Sequence, residues 1–356
     1  MAKHYEVKAD NTNYAAKVVR VNAINRLDNC DNVVGIPVMG FQAIVGKDTE
    51  VGDLVVVFPA EVQLSEAFVE AQGLSREDGG YLEKNRRVKA LRFRGHQSDA
   101  LALPLGSVDA TLPEGAEFDH LNGVEVCRKY LVPVKAGTPR NVNRIRRSRV
   151  DGKMFPEHFD TAQFWRNQDE FNLTDYVSVT QKVHGSSVRL GRTWVNAEKK
   201  WWHKVFGIKP KQEITLLAGS RRVIKDPDSA EHKHFYGEGN DIWNKALEQY
   251  GSGIPENVVV YGELIGWVNE TTPIQPNYTY DVPRGEFRLV VYRVTFVGHD
   301  GGQYDLSWEG VMQFCRDRGW AYVPELWGGY YYNFEPDKWI DKVYSKLFAN
   351  ALPLSD

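Results

Sequence analysis

A chain of 356 residues is longer than one hydrophobic core ordinarily spans, so two domains are expected. Its 44 Lys+Arg and 47 Asp+Glu leave a net charge of −3, which excludes binding by bulk positive charge and leaves room for a local basic face. With 42% hydrophobic and 26% charged residues, the composition is that of a soluble globular protein and excludes a disordered or fibrous chain.

No apolar run approaches the roughly 20 residues that span a bilayer, and the opening MAKHYEVKAD has no apolar secretory core, so neither membrane nor export is expected. Cys30, Cys127 and Cys315 lie far apart and form no CxxC. That points away from a disulfide scaffold or structural zinc and toward a reducing, cytoplasmic compartment. Aromatic residues stand out instead, with 10 Trp, 17 Tyr and 16 Phe, and such rings fill cores or stack on nucleobases.

The first 130 residues read as short strands separated by turns. Tyr14–Asn22 is strand-like, the polar stretch from Ala23 to Asn32 is turn-rich, and Val33–Ile36, Phe41–Val45 and Leu54–Phe58 follow as strands. Ser65–Leu74 has the pattern of a helix. From Arg87 to Arg94, charged and apolar residues alternate with period two, which predicts a strand with one wet face carrying Arg87, Lys89, Arg92 and Arg94. Ala100–Leu105 closes the set. Short strands at this spacing predict a small closed barrel, of which the OB-like β-barrel is the nucleic-acid-binding version, although spacing alone does not separate it from other small barrels.

Residues 131–170 form a basic linker punctuated by Pro, Gly and Asn, with Lys135, Arg140, Arg144, Arg146, Arg147, Arg149, Lys153 and Arg166 and few acids. It reads either as a solvated connector or as a ridge that contacts phosphates. From 171 to 356, strands and helices mix into an α+β domain. Val177–Val183, Val188–Val195, Ile214–Ala218, Val258–Ile265 and Phe287–Phe296 read as strands of an antiparallel-rich sheet. Ser307 is placed to N-cap a helix ended by Gly319, and a last amphipathic helix carries Trp339, Ile340, Val343, Tyr344, Leu347 and Phe348 on one side.

The informative segment is Lys182-Val183-His184-Gly185: a lysine at a strand end, with a glycine three residues on that permits a tight turn. At such a place, partial desolvation or a neighbouring cation frees an amine as a nucleophile. Alone, this pattern equally describes a surface hairpin. About 40 residues later stand Ser220-Arg221-Arg222, and about 80 later Tyr261-Gly262-Glu263-Leu264 places one acid at the end of an apolar strand. The strand from Phe287 through Tyr292 then brings an aromatic residue.

In this order the set resembles the covalent nucleotidyltransferases, that is, ATP-dependent RNA and DNA ligases and capping enzymes. The KxHG form resembles the RNA ligases. Met154-Phe155-Pro156-Glu157-His158-Phe159-Asp160-Thr161 and Val51–Pro59 resemble RNA ligases of the Naegleria type, which carry an N-terminal OB domain. The resemblance implies an OB-like nucleic-acid-binding domain over 1–130 and a nucleotidyltransferase (ATP-grasp-like) domain over 171–356 that lacks its last strands.

It further implies that Lys182 attacks the ATP α-phosphorus, expels pyrophosphate and holds AMP covalently, with Mg²⁺ or Mn²⁺ assisting. AMP would pass to an RNA 5′-phosphate, which is then sealed to a 3′-hydroxyl. Glu263 would bind ribose or metal, Arg221 ribose or phosphate, Tyr292 or Phe287 the adenine face, and Gly185 would admit the nucleotide close to the backbone. Gln181 stands where such ligases often carry Glu, and its amide is still able to bind adenine. Arg293 stands where relatives commonly carry an acid. Arg87, Lys89, Arg92, Arg94, Arg144, Arg146 and Arg147 would contact RNA. Trp201-Trp202 reads as a packed hairpin or a stacking surface.

The family pattern continues with an EG strand and a KxK strand. Glu309-Gly310 falls in the helix capped by Ser307, and Lys338, Lys342 and Lys346 have helical rather than strand spacing. The last two motifs are therefore expected either on a complementing C-terminal polypeptide or lost, with poor or no self-adenylylation by this chain alone. The rival readings are a non-catalytic nucleic-acid end-binding protein and a capping-type guanylyltransferase using GTP.

Overall fold

The computed structural model describes residues 4–8, 11–80, 82–131, 150–197, 212–225, 236 and 240–336. The chain divides into two compact units, Met1–Pro139 with Ala162–Glu170, and Arg140–Thr161 with Phe171–Asp356. The segment read as a linker therefore contributes to both units.

In the first unit, Leu54–Pro59 is almost wholly buried, as its unbroken apolar run requires. Val56 and Phe58 enter one core cluster with Val18, Leu101 and Phe118, while Val55 and Val57 enter a second with Ile36, Ala43 and Ala102. This strand sits inside a seven-stranded sheet in the order Glu117–Phe118, Ala16–Arg20, Leu54–Pro59, Ala100–Pro104, Phe41–Gly46, Val33–Val38, Asn25–Arg26. Its two end strands have two residues each and are not paired to each other among the described residues, so the expected closed barrel is not formed.

The expected strand over Arg87–Arg94 is also corrected. Arg87 makes only an isolated bridge to Gln63, and Leu91–Phe93 pairs with His96–Ser98 as a short hairpin. Arg94 and Gly95, with φ of +49° and +90°, form its turn. Val88 is buried in the core, but Leu91, Arg92 and Phe93 are all exposed, so the alternation has no continuous buried face.

In the second unit the seven-stranded sheet runs Ile224–Lys225, Gln212–Gly219, Ser186–Asn196, Val258–Gly266, Phe287–Val297, Gln303–Asp305, with Ala321–Tyr322 parallel to Phe287–Val297. All the other pairs are antiparallel. Helices Ile242–Tyr250 and Trp308–Arg316 cover one face. Asp241 caps the first by accepting from the Trp243 and Asn244 N–H groups, and Ser307 caps the second by accepting from Gly310. Even-numbered Val188, Leu190, Val258, Val260 and Leu264 face these helices, which leaves Arg189, Tyr261 and Glu263 to the opposite face.

No described helix is long and apolar enough to cross a membrane. Cys127 and Cys315 are buried thiols, both pushed up to about 12 by burial, while Cys30 is half-buried on a loop. A thiol reagent is thus expected to modify Cys30 in the native protein and the other two only after unfolding. Mass mapping of modified peptides checks this. The last amphipathic helix, the Trp201-Trp202 segment, and Arg144, Arg146 and Arg147 lie outside the described residues.

Candidate active site

The Tyr176–Thr180 strand pairs with Glu325–Tyr330 and then leaves its partner to form the turn that carries Lys182. Gln181 and Val183 are buried, while Lys182 and His184 are exposed. The Gln181 N–H donates to the Pro324 carbonyl at 2.9 Å, and Val183 packs with Ile265, Val282, Val290 and Val323. The His184 N–H donates to the Tyr280 hydroxyl at 2.8 Å. Gly185 is needed because a Cβ there would run into the Leu264 carbonyl and lie 3.2 Å from the Glu263 Cβ. The chain then enters the next strand, with Ser186 opposite Leu264 and Ser187 opposite Glu263.

Glu263 is the one residue of Val258–Gly266 that is not fully buried. Burial pushes its carboxyl up to about 7, against the pull of the Lys182 and Arg221 charges. One acid and two cations therefore share a neighbourhood, although they come from three separate stretches of chain.

A β-bulge brings in the aromatic residue. Along the Phe287–Val297 strand, Val291 pairs with Gly262 and Arg293 with Tyr261, so Tyr292 is the extra residue. Val291 and Val294 both pack on the helix-covered core, which turns Tyr292 and Arg293 together to the face of Tyr261 and Glu263. Burial pushes the Tyr292 phenol up to about 12, partly offset by its hydrogen bond with Ser187 and reinforced by the Glu263 charge. Phe287, the other stacking candidate, packs against the helix-covered core and is not at this site.

A strap of residues 154–160 covers the neighbouring part of that face. Three successive backbone carbonyls are held from the sheet: Met154 accepts from the Thr193 hydroxyl at 2.8 Å, Phe155 from Arg189 at 3.0 Å, and Pro156 from the Tyr261 hydroxyl at 2.9 Å. Further along, the His158 ring lies 5.1 Å from Tyr292, and Asp160 pairs with Arg221. Burial, then Arg293 and Arg221, hold the His158 imidazole below its ordinary range. Arg293 donates to Asp305 at 2.8 Å and lies over the rings of Phe159 and Tyr261 at 4.3 and 4.7 Å.

Sequence reasoning did not find Tyr280, Ser187, His158 or Asp160 as site neighbours. The quoted FPEHFD segment was the available signal for the last two. Gln181 is 7% exposed, and its side-chain oxygen has no hydrogen-bond partner among the described residues, which leaves a buried acceptor open beside the lysine. Among the described residues no three His, Cys, Asp or Glu gather as a metal cage. A lone carboxylate such as Glu263 suits a hard divalent cation whose remaining ligands are phosphate oxygens and water.

In the first unit, Arg87 pairs with Glu61 and lies 4.7 Å over the Tyr130 ring, and Lys89 pairs with Glu83. Arg94 donates to the Asn29 carbonyl at 2.6 Å, while Arg92 is exposed on the hairpin.

Residues 175–351, the C-terminal half, match the model of the RNA ligase family. The chain belongs to that family. Among solved structures, two variants of Naegleria gruberi RNA ligase without ligand each align at TM-score 0.50 and 16% identity. One alignment covers 91% of this chain and 85% of that one, the other 93% and 87%. They share the fold. A further variant of that enzyme, with AMP and Mn, aligns at TM-score 0.49 and 15% identity over 93% of this chain and 87% of that one. None of the curated proteins matches the chain.

Proposed function

We propose that this chain is an ATP-dependent RNA ligase working through a lysyl-AMP intermediate. The Lys182 amine attacks the α-phosphorus of ATP; a P–N bond forms, the bond to the bridging oxygen of the β-phosphate breaks, and pyrophosphate leaves as the amine gives up a proton. An RNA 5′-phosphate oxygen then takes AMP from the lysine. Finally an RNA 3′-hydroxyl attacks that activated phosphate and releases AMP.

The observation that carries this reading is the convergence of Lys182, Glu263, Arg221 and Tyr292 on one end of one sheet face. Arg221 offers a planar fork to ribose or phosphate, Tyr292 offers a ring to adenine, and the open Gln181 oxygen accepts from an amino group. Glu263 would hold Mg²⁺ or Mn²⁺, which when bound neutralises phosphate charge. The first unit, an OB-like domain in this reading, would contact RNA through Arg92 and Arg94 on its hairpin and through Arg87 and Lys89 where phosphate displaces their carboxylate partners.

The test is incubation of the chain with α-labelled ATP or GTP and Mn²⁺ or Mg²⁺. ATP is expected to leave a covalent, acid-labile AMP adduct that vanishes in Lys182→Ala, and the labelled protein is expected to join a 5′-phosphorylated RNA to a 3′-hydroxyl end. Labelling by GTP alone would instead assign a guanylyltransferase. No adduct with either nucleotide, even after addition of a C-terminal fragment that supplies the EG and KxK strands, would reject the lysine mechanism.

A further inference from the structure

We infer that the Tyr280 hydroxyl is a positioning group for Lys182, fixing the backbone of the turn from which the amine is presented. The inference rests on the reading of Lys182 as the nucleophile.

The turn is gripped on both sides of the lysine. Before it, the Gln181 N–H is bound to the Pro324 carbonyl; after it, the His184 N–H is bound to the Tyr280 hydroxyl at 2.8 Å. The His184 ring also lies 4.7 Å from the ring of Tyr278, so the loop holding Tyr280 meets the turn at two points. Lys182 stands one residue from the first anchor and two from the second. The two anchors limit how far its Cα can shift and leave the side chain free.

The loop reaches the turn in a backbone state its own residues do not favour. Tyr280 and Asp281 have φ of +52° and +57°, in the left-handed region that costs a residue with a Cβ on the order of 1 kcal/mol. Surrounding contacts hold it there: Val282 is buried with Val183 and Ile265, its N–H donates to the Thr279 carbonyl at 3.1 Å, and its carbonyl accepts from the Trp267 indole at 2.9 Å. This strained segment delivers one phenol oxygen to one amide of the lysine turn. That bond is made to a backbone amide of the lysine turn and not to a side chain of Arg221, Glu263 or Tyr292.

Attack on phosphorus requires in-line approach, and misplacement by an ångström is enough to cost up to about 10²-fold in rate. Tyr280→Phe removes the acceptor and keeps the ring. It is expected to slow formation of the lysyl-AMP adduct about tenfold or more in single-turnover labelling, with the half-saturating ATP concentration within about twofold of wild type. The melting temperature should move by no more than about 4 °C. Amide hydrogen exchange at His184 should accelerate in the variant.

Labelling at the wild-type rate overturns the inference, and so does a rate loss matched by an equal loss of ATP affinity and stability, which is the mark of a purely structural residue. Should Tyr280→Phe fail to fold, exchange in the wild-type protein decides: a protected His184 amide supports the bond, and one exchanging like an open loop removes it. A wild-type chain that takes no label even with a C-terminal fragment supplying the EG and KxK strands removes the lysine reading and this inference with it. Normal wild-type labelling that is insensitive to Tyr280 removes the inference alone.

Discussion

Glu263→Gln is expected to stabilise the nucleotide-free protein above pH 7 while cutting AMP transfer by about 10²- to 10³-fold. Burial raises the Glu263 carboxyl from an ordinary 4.5 to about 7, so the folded protein keeps it protonated at pH values where the unfolded chain has released its proton. Stability from this group is complete below about pH 4.5 and is lost as pH rises through about 7. At roughly 1.4 kcal/mol per unit, the loss amounts to at most about 3–4 kcal/mol. Glutamine has no proton to lose, so urea denaturation should show the variant ahead of wild type at pH 8 and level with it at pH 4.5. A variant no more stable at pH 8 would mean that solvent, Lys182 or Arg221 already neutralises the cost of this charge. A group that destabilises the empty fold and is indispensable to the reaction is what a site held ready for a cationic, phosphate-bearing ligand would contain.

Much of this site was legible in the chain because its signals are local. Lys182 and Gly185 announce a strand end and a turn, Glu263 interrupts an apolar run, and Ser307 precedes an amphipathic stretch that it caps. What the sequence does not carry is pairing. The bulge at Tyr292 exists only in the register between two strands, and it decides why Tyr292 and not Phe287 belongs to the site. Tyr280 meets His184 across 96 positions with no periodicity to betray it. The alternation from Arg87 to Arg94 misled for the same reason: a two-residue period describes a strand only where one face is covered, and here only Val88 is buried while the Arg94-Gly95 turn folds Leu91–Phe93 into a hairpin on which all three residues are exposed. The first unit's apolar strands were equally plain, yet whether a sheet closes depends on its end strands, Glu117–Phe118 and Asn25–Arg26, whose two residues each left no trace in the periodicity.

Arg293 is the residue whose charge ran against the family pattern, and reversing it gives the second large effect. Its side chain, 11% exposed, is bound to Asp305 and stacked between Phe159 of the strap and Tyr261 of the sheet. Truncation to alanine removes a charge-assisted hydrogen bond and two cation–π contacts, a loss on the order of 2–3 kcal/mol. Aspartate, the kind of residue relatives carry there, is expected to be worse than alanine, because it would set a second carboxylate against Asp305. The strap would then lose its hold near His158 and Phe159, two residues before the Asp160 that engages Arg221. Denaturation midpoints should therefore fall in the order wild type, Arg293→Ala, Arg293→Asp, with faster proteolysis within 157–161 and weaker ATP binding in the same order. Adding Asp305→Arg to Arg293→Asp restores opposite charges and should recover part of the stability, in a double-mutant cycle with coupling of at least about 1 kcal/mol. If Arg293→Asp proves as stable as wild type, the strap is held by its three carbonyl anchors at Met154, Phe155 and Pro156 alone, and the charge at 293 is free to vary.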